Sequence, residues 1–108
     1  MPYTQEEKDR ELARIRDQFA RSPVKPFVED IQVEELMLPA RDGVRLRTVV
    51  YRPPGGGRFP TVVCRSCYPD ADAAYRLTAR EYARRGFGYI YQYCRGTGGS
   101  EGTWEPNV

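Results

Sequence analysis

Gly88-Tyr89-Ile90-Tyr91-Gln92-Tyr93-Cys94-Arg95-Gly96-Thr97-Gly98-Gly99-Ser100-Glu101-Gly102 decides the fold. It opens as an apolar and aromatic run, the pattern of a strand buried on both faces, and passes directly into a loop with four glycines in seven residues. Glycines let a backbone turn through positive φ and approach its neighbours closely, which a loop crossing the carboxyl end of a parallel sheet requires. The run therefore predicts a central strand whose loop forms one edge of a site.

Within that loop, Gly98-Gly99-Ser100-Glu101-Gly102 spells G-x-S-x-G, the pattern of a nucleophile elbow. The context argues against it. An elbow carries its serine on a sharp turn between a strand and a helix, whereas several loop residues precede Ser100 and Thr103-Trp104-Glu105-Pro106-Asn107-Val108 offers no helix. The sequence also contains no histidine to serve as the serine's base. Ser100 reads instead as a loop serine that hydrogen-bonds local backbone.

The other elements follow outward from this strand. Upstream, Gly86 closes a helix running through Ala73 to Arg85, with Asp70 or Asp72 as its cap and Leu77 and Tyr82 as its core contacts. Thr61-Val62-Val63-Cys64-Arg65 is a short β-branched strand, and with the helix and the 88–93 strand it makes one right-handed βαβ crossover. Before it, Ile31–Leu38, with a bulge at Glu34-Glu35, and Val44–Arg52 form a hairpin about the Asp42-Gly43 turn. Pro53-Pro54-Gly55-Gly56-Gly57 is a loop that lacks the lysine and hydroxyl of a phosphate-binding loop. At the amino end, Thr4-Gln5-Glu6-Glu7 is a capping box opening a helix to about Arg21 with a narrow Leu12, Ile15, Phe19 stripe; Ser22-Pro23-Val24-Lys25-Pro26 ends it. The fold class is α/β: an antiparallel hairpin feeding a parallel sheet, preceded by an N-terminal helix.

Composition narrows the partners. The 108 residues carry 17 basic and 15 acidic side chains, interspersed, for a net charge of +2, so no basic stripe points to nucleic acid or an anionic membrane. No apolar run reaches the roughly 18 residues of a membrane span, and the charged first 20 residues do not read as a signal peptide. A cytoplasmic location is the expectation. Three cysteines suit a reducing compartment. Cys64-Arg65-Ser66-Cys67 spells C-x-x-C before a helix, but Cys64 falls within a strand, so inert thiols are favoured over a redox pair. Three cysteines and no histidine fall short of a zinc site, and no metal or cofactor is expected.

Six segments in order then carry a resemblance: Arg41-Asp42-Gly43-Val44-Arg45-Leu46, Tyr51-Arg52-Pro53, Phe59-Pro60-Thr61-Val62-Val63, Arg65-Ser66-Cys67-Tyr68, Arg85-Gly86-Phe87 and Arg95–Gly102. Together they resemble the opening of the CocE/NonD hydrolases and the related X-Pro dipeptidyl-peptidases, serine hydrolases on an α/β-hydrolase sheet. The resemblance implies that residues 30–108 are the first part of such a domain, ending before the nucleophile elbow, with 1–29 as an appended helix and proline-containing linker. It implies a fourth strand inserted between the second and third, and a free edge along Thr61–Arg65. One sheet face would lack most of its helices, exposing Tyr89, Ile90, Tyr91 or their neighbours, so the isolated chain is expected to be marginal or prone to aggregate.

The resemblance also implies one site residue. Tyr68, in the turn after the third strand, takes the place of the tyrosine that donates its hydroxyl to the oxyanion. The implied substrate is a small-molecule ester or amide, or a peptide, cleaved through an acyl-enzyme by a nucleophile and histidine that this chain does not supply. The sequence departs from the pattern where Ser66-Cys67 replaces Thr-Pro and where Tyr93 replaces an aspartate. The alternatives are a non-catalytic interaction module or a thiol redox module.

Overall fold

A computed structural model describes residues 3–104; the expected absence of a helix over 105–108 lies outside the described residues. The elements in order are α1 (Gln5–Arg21), β1 (Gln32–Pro39), β2 (Arg45–Arg52), β3 (Thr61–Ser66), a 3-10 turn (Pro69–Ala71), α2 (Asp72–Ala83) and β4 (Gly88–Tyr93). The four strands form one sheet in the order β1-β2-β4-β3, with β4 antiparallel to β2 and parallel to β3. The late strand thus inserts between its predecessors, as the resemblance implied. Among the described residues β3 has a strand neighbour on one side only.

The register divides the sheet into unequal faces. Val49 lies opposite Tyr91 and Tyr51 opposite Tyr89, while Val62, Cys64 and Ser66 of β3 stand beside Tyr89, Tyr91 and Tyr93. On this face α2 covers Val49, Tyr51, Tyr89, Tyr91 and Tyr93, which are all buried. The helix approaches through Ala79 and Ala83, both fully buried, with Tyr75 and Tyr82 packed on the same cluster. Small residues at i and i+4 let the helix axis come close enough for a layer of tyrosines to fill the space between. Two expectations are corrected here. Leu77 is only half-buried and lies outside the core cluster, and Tyr89 and Tyr91 are covered rather than exposed.

The opposite face carries no described helix. Ile90, Val50, Leu46 and Leu36 are half-buried there, and Val63 is 63% exposed, so β4 is buried on one face and not two. The β1–β2 pairing runs from Gln32↔Arg52 to Pro39↔Arg45 without interruption, and the bulge expected at Glu34-Glu35 is absent. At an exposed edge strand, consecutive glutamates can point to opposite faces and both reach cations. Glu34 pairs with Arg52 and Glu35 with Arg47.

The helix ends show which local signals held. Thr4 Oγ accepts the Glu7 amide proton at 3.1 Å, as the capping box predicts. α2 ends in a Schellman motif, with Phe87 N donating to Tyr82 O, Gly86 N to Ala83 O, and Gly86 at φ +85°. Its start differs from expectation. The N-cap is Ala71 with no side-chain bond, and Asp72 is the first helical residue, its carboxylate turned to Arg76 one turn on and to Tyr93 of β4.

α1 lies across α2 rather than apart from it. Ile15 is buried, and Phe19 meets Tyr82 edge-on at 5.7 Å. The 8%-exposed Arg85 bonds to the carbonyls of Phe19 and Val24, stacks on the Phe19 ring and pairs with Glu81, tying the proline-containing segment to the domain. No helix among the described residues is long and apolar enough to cross a membrane.

Candidate functional site

Because β3 and β4 are parallel and β2 is antiparallel to β4, three chain segments meet at one edge of the sheet. These are the turn after β3, the glycine loop after β4 and the first residues of β2. This is the carboxyl edge, where open α/β sheets place their ligands.

The glycine loop is fastened down along its length. Thr97 N and Oγ1 donate to Cys94 O, Ser100 N donates to Thr97 O, and Gly96 N donates to Glu101 O. Glu101 then holds β2: its carboxylate accepts from Arg45 N at 3.0 Å and from the Arg45 guanidinium at 2.7 Å, while its own amide donates to Arg45 O. Ser100 Oγ donates to Tyr93 O and accepts from Arg47 N, both at 2.8 Å. A hydroxyl spent on two backbone groups is a strut. Ser100 therefore hydrogen-bonds local backbone, as its loop context predicted.

Beneath the loop lies a polar cluster. The buried Tyr93 hydroxyl donates to Asp72 Oδ1 at 2.5 Å, and Arg76 Nε donates to Asp72 Oδ2 at 2.7 Å. Arg47 stands 3.8 Å from Asp72, donates to Gly98 O at 3.2 Å and lies over the Tyr93 ring at 5.4 Å. Burial raises the Asp72 pKa, but hydrogen bonds from Tyr93 and Arg76 outweigh it and hold the carboxyl below its ordinary value. Burial, then the Asp72 bond, push the Tyr93 phenol up, keeping it a donor. Asp72, at the start of α2, is thus joined to the end of β4 through the Tyr93 hydroxyl. No local pattern marks this cluster, since Asp72 reads as a helix cap and Arg47 belongs to no motif.

Gly98 is required where the loop passes over that ring. At φ +53° a Cβ would run into the Tyr93 ring atoms, whereas at Gly55, φ +89°, a Cβ meets open space. Alanine at either site carries the left-handed cost of about 1–2 kcal/mol. Gly98→Ala adds overpacking of roughly 1–3 kcal/mol. Gly98→Ala is therefore expected to lower Tm by at least about 4 °C more than Gly55→Ala, by thermal melting; equal shifts would remove the ring contact from the account.

Tyr68 occupies the turn after β3, its side chain 64% exposed at the carboxyl edge. Its amide is taken: Tyr68 N donates to Ser66 Oγ at 3.0 Å. Its carbonyl is also used, accepting from Ala71 N as the 3-10 turn begins. A phenol is protonated at neutral pH, and the neighbouring Cys67 thiol moves that of Tyr68 further above its ordinary value. The phenol is the donor that this turn presents outward. Cys64, Cys67 and Cys94 are half-buried free thiols, Cys64 lying inside β3. No cluster of three or more metal-ligating side chains occurs among the described residues.

Comparison with known proteins follows the same boundaries. Cocaine esterase from Rhodococcus sp. (strain MB1 Bresler) is 36% identical over 77 residues, covering 68% of this chain and 13% of the esterase. Among solved structures, an alpha-amino acid ester hydrolase superposes with a TM-score of 0.59 at 30% identity, covering 79% of this chain and 16% of that one. An aminopeptidase from a marine-sediment Thaumarchaeota archaeon superposes at 0.51 with 26% identity and the same coverage. The chain therefore spans less than a fifth of the length of these relatives. The sequence profile of the X-Pro dipeptidyl-peptidase (S15) family matches residues 42–108, from the hairpin turn through the glycine loop. With more than half of its length in that match, the chain belongs to the X-Pro dipeptidyl-peptidase (S15) family of α/β hydrolases.

Proposed function

We propose that this chain is the N-terminal part of a serine acyl hydrolase and that Tyr68 supplies one hydrogen bond of its oxyanion hole. The observation that carries the reading is the turn after β3. It spends the Tyr68 amide internally and presents the Tyr68 phenol, neutral and exposed, at the carboxyl edge of the parallel strands.

In the proposed reaction a serine hydroxyl from the remainder of the domain adds to the carbonyl carbon of an ester or amide, giving up its proton to a histidine. The carbonyl oxygen becomes an oxyanion, and the Tyr68 O–H donates to it. Collapse expels the alcohol or amine, which takes the proton from the histidine, and water then releases the acid from the acyl-enzyme. Within the chain, the Ser100 and Glu101 contacts hold the glycine loop against β2, and the Tyr93–Asp72 bond holds the start of α2 against the end of β4.

The test is hydrolysis by the complete protein, its coding frame read through Val108 to the nucleophile and histidine. It is assayed with a chromogenic acyl ester and with an X-Pro anilide. Turnover of either, abolished by a serine-directed phosphonate, is expected. A complete, folded protein that carries a nucleophile elbow and turns over neither would overturn the reading.

A further inference from the structure

We propose that Ser66 and Tyr75 form a positioning pair for the Tyr68 phenol; this rests on the oxyanion reading of Tyr68. The last residue of β3, Ser66, is 5% exposed, and its polar groups touch three segments of the chain. Its carbonyl accepts from Cys94 N at 2.8 Å, continuing the parallel ladder one step beyond β4. Its Oγ accepts two protons, one from Tyr68 N at 3.0 Å and one from the Tyr75 hydroxyl at 2.7 Å. A hydroxyl oxygen has two lone pairs, and both are used.

The two bonds divide the labour. The Ser66–Tyr68 bond closes a local turn at the strand end, and that turn decides where the Tyr68 side chain departs from the backbone. A serine on its own could rotate about χ1 and release the amide. The Tyr75 hydroxyl prevents this by pinning Oγ from the side. Tyr75 is itself immobilised: its ring packs on Tyr91 at 5.7 Å and edge-on to Tyr93 at 6.4 Å, inside the layer between α2 and the sheet. The exposed phenol is thus coupled to the packed tyrosine layer between α2 and the sheet through one serine oxygen. Oxyanion donors are effective in proportion to how little they must reorganise, so this coupling bears on rate and not on substrate affinity.

Ser66 stands where the family pattern has threonine, and the second hydroxyl-bearing residue keeps the acceptor. The geometry therefore makes specific demands on substitutions. Tyr75→Phe keeps the ring and removes the pin. Ser66→Ala removes the acceptor for both donors, and Ser66→Thr retains it.

The experiment is a double-mutant cycle in the complete hydrolase with an acyl ester as substrate, combining Tyr75→Phe with Tyr68→Phe. Tyr75→Phe alone is expected to lower kcat about three- to tenfold with KM within about twofold, the loss of one net hydrogen bond expressed in the transition state. In the Tyr68→Phe background it should add nothing, because Tyr75 acts only through the phenol. Ser66→Ala should lower kcat further and abolish slow hydrogen exchange at the Tyr68 amide, and Ser66→Thr should restore both. If Tyr75→Phe costs the same in both backgrounds, or costs nothing while Tyr68→Phe is severe, the positioning role is wrong and the oxyanion reading survives. If Tyr68→Phe is itself neutral, the oxyanion reading fails first and takes this one with it. Should Ser66→Ala fail to fold, the Tyr75→Phe cycle decides alone.

Discussion

Tyr68→Phe is expected to lower kcat of the complete hydrolase by about 10²–10³, the typical cost of removing one oxyanion donor, with KM little changed. The substitution deletes one oxygen from a side chain that is 64% exposed and lies outside the core cluster. Its effect on stability is therefore expected to stay within about 0.5 kcal/mol, the usual range for a surface change. That separation makes the result interpretable. A large loss of kcat with an unchanged melting curve assigns the lost energy to the transition state, since the ground state never contained a strong acceptor for the phenol. Neutral phenol is the competent form, and a tyrosine is in that form across the physiological range. A variant retaining kcat within about threefold would remove Tyr68 from the oxyanion hole, both its phenol and its amide being out of use, the amide already spent on Ser66.

How much of this edge was legible in the sequence depends on the range of the interactions involved. The glycine loop, the Asp42-Gly43 turn, the Thr4 cap and the Gly86 stop are written in neighbouring residues, and each appears where the local chemistry puts it. The insertion of β4 between β2 and β3 came from resemblance, because nothing in a strand's own pattern names its neighbours. The misreadings share a cause. Asp72 has the side chain of a cap, but Tyr93 and Arg76 offer its carboxylate stronger partners than the local amides do. Leu77 outranks Ala79 and Ala83 on any hydrophobicity scale, yet a helix seated on a layer of tyrosines needs small residues at its closest approach. Glu34-Glu35 suggested a bulge because alternation failed there, and at an exposed edge strand alternation has nothing to enforce it. The Ser66 junction was invisible for a further reason. Serine and tyrosine nine residues apart have no periodic signature, and only the fold brings the two hydroxyls together.

The same tyrosine layer sets the second large effect: the chain is expected to unfold cooperatively as pH rises above about 10. Burial pushes the Tyr89 phenol up to about 12 from its ordinary value of 10, and burial likewise raises Tyr91 and Tyr93, with the Asp72 carboxylate adding to both. These phenols hold their protons more tightly in the folded chain than in the unfolded one. Their contribution to stability is whole below about pH 10 and is lost as pH climbs toward the folded values, where the unfolded chain has already released protons that the native chain still binds. Three such groups lie in one packed layer, Tyr91 and Tyr93 with ring centroids 6.0 Å apart. Ionising one would bury an anion beside Asp72 and its neighbours, so the layer is expected to open as a unit rather than titrate residue by residue. Followed together, the tyrosinate absorbance and the helical circular dichroism should change at a common midpoint. Tyr91→Phe keeps the ring and removes one ionisation, and should move that midpoint to higher pH, provided the variant is folded at neutrality. A helical signal unchanged through about pH 12 would mean that the layer is looser than its burial implies, because only solvent reaching the phenols could lower their pKa without unfolding the chain.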